Sequence, residues 1–151
     1  MKKVIVLGMS SLILLSCNEA SEKQTASQQT ETQETQHYEN NNQEIELNDG
    51  EKWVVNEEMK PFVVNGADLV GVYIQEGKSD YEELAGQLKE QNNQIIKSCT
   101  MKGKSHDELH KWLHPHLELV KELENETDAV KANQIVAQLQ DSYRQYHRYF
   151  N

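Results

Sequence analysis

Ser105-His106-Asp107-Glu108-Leu109-His110-Lys111-Trp112-Leu113 opens the stretch on which the fold is decided. A Ser followed three residues later by Glu reads as a capping box, the start of a helix. Leu109, Trp112, Leu113, Leu117, Val120 and Leu123 then recur three and four residues apart, so one face of that helix is apolar. Pro115 falls inside the run and is expected to kink it by freeing the carbonyl of Lys111.

The same spacing extends in both directions. Upstream, Ser79-Asp80-Tyr81-Glu82 is a second capping box, followed by Leu84, Leu88, Ile95 and Cys99 along one stripe, with a stop near Gly103. Before that come Met59, Phe62, Val63, Ala67, Val70, Tyr73 and Ile74, with Asn56 as the expected N-cap and Pro61 in the first turn. Gly66 and Gly71 weaken this block, and Trp53-Val54-Val55 ahead of it reads as a staple or a short extended piece. Downstream, a block from about Thr127 to Phe150 carries Ala132, Ile135, Val136, Leu139, Tyr143 and Tyr146. No block alternates as a strand would. Four helices with short connections predict an all-α, antiparallel up-down-up-down four-helix bundle over residues 50–151.

The chain ahead of this domain is different. Lys2-Lys3 precede an apolar stretch from Val4 to Leu15, a secretory signal too short to span a bilayer. Leu14-Leu15-Ser16-Cys17 closes it and resembles the lipobox of bacterial lipoproteins. The resemblance covers the first 17 residues. It implies a signal peptide at 1–16, cleavage before Cys17, and diacylation of Cys17 with acylation of the new terminus. It also implies a place in the bacterial cell envelope, on the extracytoplasmic face. Asn18 is not the Asp linked to inner-membrane retention in enteric bacteria, which by analogy favours the outer membrane. Residues 17–49 are rich in Gln, Glu, Thr, Ser and Asn and almost free of apolar side chains, so they are expected to form a disordered tether.

Charge narrows the partners. The chain carries 15 basic and 25 acidic residues, a net −10, and loss of Lys2 and Lys3 with the signal leaves 13 against 25. Such a surface repels phosphate backbones and anionic lipid, so no nucleic acid is expected and membrane attachment falls to the acyl chains. Of the two cysteines, the resemblance makes Cys17 the lipidation site, which would leave Cys99 without an intramolecular disulfide partner.

An up-down-up-down order brings the end of the second helix, the start of the third and the finish of the fourth to one pole. Cys99, Met101, His106, His110 and His147 fall there, with Met59 nearby. His106 and His110 share a helix face, and thiolate, thioether and imidazole donors suit Cu(I) or Zn(II). The expectation is a metal site in which Cys99 is the anchoring thiolate, His106 and His110 supply nitrogens, and Met101 or His147 completes the shell. His114 reads as a solvated neighbour of the kink.

His116 points into the apolar sector. Without a Cys-x-x-Cys-His motif or a Met on another helix at the same depth, haem is disfavoured. A core His satisfied by the carbonyl freed at Pro115, or by a Tyr, is expected instead. The run His106-Asp107-Glu108-Leu109-His110 has the paired histidines of zinc metalloproteases, but Asp107 stands where their general-base Glu must be. No phosphate loop or catalytic triad appears, and no enzyme is expected. The competing expectation is an acidic structural or protein-interaction lipoprotein that docks an envelope protein and holds no metal.

Overall fold

Apolar faces repeating at helical spacing need one another for burial, and four of them close a ring around a shared core. The computed structural model describes residues 44–151; the expected signal peptide, Cys17 and the tether as far as residue 43 lie outside the described residues. Within them are α1 (Lys60–Gln75), α2 (Tyr81–Ser98), α3 (Lys104–Asn125) and α4 (Ala129–Tyr149). Each helix packs on its neighbours in sequence, and α1 closes the ring on α4. This is the antiparallel four-helix bundle expected from periodicity. None of these helices is long and apolar enough to cross a membrane.

The core is built from the expected stripes: Val63, Val70 and Tyr73 of α1, Leu84, Leu88 and Ile95 of α2, Leu109, Trp112, Leu113, Val120 and Leu123 of α3, and Ala132, Ile135, Val136, Leu139, Tyr143 and Tyr146 of α4. Gly66, expected only to weaken α1, has a packing role. A Cβ at this position would lie 2.1 Å from the Tyr143 hydroxyl oxygen, so the missing side chain lets Tyr143 reach the α1 backbone.

Helix ends depart from the sequence reading. Asp80, not Ser79, caps α2, its Oδ1 accepting the Glu83 N–H at 2.9 Å. Gly103, at φ +66°, is the N-cap of α3, so the second helix does not run on to it. Glu108 does not close a capping box with Ser105; it is only 3 % exposed and its Oε2 accepts the Glu46 N–H at 2.9 Å. The fourth helix is capped by Asp128, whose Oδ1 accepts the amides of Val130 and Lys131. Pro115 sits inside α3 without ending it.

Asn56 is not the cap of α1, a place held by Met59 with no side-chain bond. Its Nδ2 instead donates to the Ser98 carbonyl at 2.8 Å and its Oδ1 accepts the Thr100 N–H at 3.2 Å. It therefore satisfies the C-terminus of α2 from a distant part of the chain, which is why that helix stops before Cys99. Trp53 forms the expected extended piece and pairs in parallel with Phe150: its N–H donates to the Tyr149 carbonyl at 2.8 Å, and the Asn151 N–H donates to its own carbonyl at 3.1 Å. Packing also reaches back beyond residue 50, where the domain was expected to begin. Ile45 is buried, and the Trp53 indole N–H donates to the Glu46 carbonyl at 2.6 Å.

Candidate metal centre

The bundle pole expected to hold the donors is assembled as anticipated. Asn56 joins the approach to α1 to the end of α2, and Trp53 joins it to the end of α4. The start of α3 comes in through Lys104, whose ammonium lies 5.6 Å from the Trp53 ring centre. The five expected donors behave differently within it.

Cys99 caps α2 in an extended conformation and packs, half-buried, against the apolar core, as does Met101. Met59 is fully buried. His147 is exposed, with its ring edge-on to Tyr146 at 5.5 Å. Among the described residues, no group of three or more His, Cys, Asp or Glu side chains is placed to hold a metal ion.

Two of the five do meet. His106 and His110 lie one turn apart on α3, with their Nε2 atoms 3.1 Å apart and ring centres 4.3 Å apart. The row continues where the sequence reading saw only a solvated neighbour: His110 Nδ1 lies 2.9 Å from His114 Nε2. Spacing contained the signal, because three histidines at successive steps of four stand above one another on a helix face. All three are half-buried. Burial is the main cause holding the His110 imidazole below its ordinary range, helped by His106 and His114 and opposed by Asp107. The ring therefore stays neutral near pH 7, the form that can bind a metal.

Lys111 follows His110 directly, and its charge is taken up elsewhere. Its Nζ donates to Glu108 Oε1 at 2.8 Å and to the Glu44 carbonyl at 3.1 Å. Burial pushes the Glu108 carboxyl up, but the Lys111 and Glu46 hydrogen bonds and the charges of Lys111 and Lys104 together leave it lowered and ionised.

His116 is fully buried on the other side of the helix. Its ring stacks on Trp112 at 4.9 Å and meets the edge of Tyr143 at 4.7 Å. Nδ1 lies 3.0 Å from Ser142 Oγ, so the partner is neither a carbonyl freed by Pro115 nor a tyrosine. Among the described residues Nε2 has no hydrogen-bond partner, and burial pushes the imidazole down to about 4.

Compared with known proteins, the chain matches no family model, no curated protein and no solved structure.

Proposed function

We propose that this chain is an extracytoplasmic lipoprotein, anchored in the bacterial envelope by lipid on Cys17, whose helical domain binds a borderline divalent ion such as Zn(II) through His106 and His110. The observation that carries the metal reading is the 3.1 Å separation of the two Nε2 atoms. Zn–N bonds of about 2.0–2.1 Å place two ligand nitrogens about 2.9 to 3.4 Å apart, between right-angled and tetrahedral arrangements. The pair therefore needs no movement of α3 to chelate. Cu(I) finds less support, because its soft donors Cys99 and Met101 pack on the core. Two nitrogens leave further coordination positions for water or for a donor on another molecule. The anchor reading rests on the Lys-Lys, apolar and Leu-Leu-Ser-Cys order of the first 17 residues.

Zn(II) titration of the mature chain against a chromogenic chelator tests the metal. One ion should bind per chain, His106→Ala and His110→Ala should each weaken it at least tenfold, and Cys99→Ser should leave it unchanged. A wild-type chain that takes up no stoichiometric Zn(II) would return the protein to the reading of an acidic interaction module. Labelled palmitate should enter the wild-type chain in cells and not a Cys17→Ser variant; equal labelling of both would overturn the anchor.

A further inference from the structure

We infer that His114 is a positioning residue for the metal: its Nε2 accepts the Nδ1–H of His110 and so fixes the tautomer that presents the His110 Nε2 lone pair to the ion. The inference rests on the metal reading above and supplies the part of that site that spacing of the first two histidines does not.

A neutral imidazole carries one proton on either of its nitrogens, and only the bare nitrogen can ligate. In this row every inter-ring approach is a hydrogen bond whose direction is free until the tautomers are set: 3.1 Å between His106 Nε2 and His110 Nε2, and 2.9 Å between His110 Nδ1 and His114 Nε2. Two directions are self-consistent. In one, protons point from His114 toward His106; His110 then carries its proton on Nε2, and the chelating atom is blocked. In the other, protons point from His106 toward His114; His110 carries its proton on Nδ1, donates it to His114 Nε2, and keeps Nε2 bare.

Chelation requires the second direction, the one in which His114 accepts the proton of His110. An ion would be held by the Nε2 atoms of His106 and His110, with His106 carrying its proton on Nδ1, the nitrogen left free for it on a half-buried ring. His114 does not touch the ion. It acts as the acceptor on the second nitrogen of a ligating histidine, a place usually taken by a carboxylate or carbonyl. Glu108, the buried carboxylate of this helix, is engaged by Lys111 and the Glu46 amide instead.

The test uses the mature chain and reads the tautomer separately from the metal. In 15N-resolved spectra of the metal-free wild type, His110 should be protonated on Nδ1. His114→Ala should shift it toward protonation on Nε2 and weaken Zn(II) binding 10- to 100-fold, the usual effect of losing such an acceptor. His114→Gln, whose amide oxygen can accept the same proton, should restore most of both. Wild type and His114→Ala binding Zn(II) equally, with one His110 tautomer, would overturn the inference and leave the metal reading standing. A wild-type chain that binds no Zn(II) would overturn both.

Discussion

His116 and the row His106, His110 and His114 share one helix, and their surroundings give the same side chain opposite chemistry. The row lies half in solvent, where each ring has another imidazole as partner and protons can exchange with water. His116 lies between Trp112 and Tyr143 with one hydrogen bond, to Ser142, and a second nitrogen that finds no hydrogen-bond partner among the described residues. A metal arriving from solvent can reach the first set. The second can only be kept neutral, and it acts on stability. The contrast shows that a count of histidines on α3 says little until each is assigned to its face of the helix.

The largest break in this comparison should come from Trp112, which stacks on His116 and donates its indole N–H to the Ser142 carbonyl at 2.9 Å. Trp112→Ala should cost about 3–5 kcal/mol, read as a fall in the urea midpoint, and should loosen the core side before any Zn(II) measurement is meaningful. Acid should act next, through His116. Its folded value of about 4 lies below the usual 6.5, so the unfolded chain binds the proton more tightly. Stability is then fully present above pH 6.5 and lost as the pH falls toward 4, by roughly 3 kcal/mol in all. Urea melts at pH 7 and 4.5 should show most of this loss, and His116→Gln should flatten the difference.

Gly66→Ala should cost about 1–3 kcal/mol by forcing Tyr143 away from α1, despite the better helix propensity of Ala. Thermal unfolding would show it, and an unchanged melting temperature would mean that Tyr143 yields freely. The smallest effect should be on the solvent side. His110→Ala should change stability by less than about 1 kcal/mol, the size of a partly exposed hydrogen bond, while its effect on Zn(II) is large. A substantial loss of stability there would mean that the row is structural and would blur the contrast with His116.

Much of this was legible from residue order. The recurrence of Leu109, Trp112, Leu113, Val120 and Leu123 announces α3 and its buried face. The inward placement of His116 follows from the same wheel, and the step of four between His106 and His110 predicts their meeting. The wider shell proposed from Cys99, Met101 and His147 followed from their positions near one pole. Pole and direction are separate matters, however. Cys99 and Met101 pack on the core and His147 turns its ring against Tyr146, while His114 joined the row because nothing interrupts the helix face that carries it.

The sequence by itself determined four amphipathic helices, their antiparallel order and the imidazoles on one face of α3, because periodicity is a local property that any helical segment expresses. It also carries the Leu-Leu-Ser-Cys run that resembles a lipobox, a linear pattern read without folding. Only the tertiary structure decided where α2 stops, through Asn56; what Glu108 does, through Glu46 and Lys111; and why position 66 lacks a side chain, through Tyr143. In each case the partner comes from a distant part of the chain. No local pattern can specify which backbone group or ring will fill the remaining space once the helices have packed.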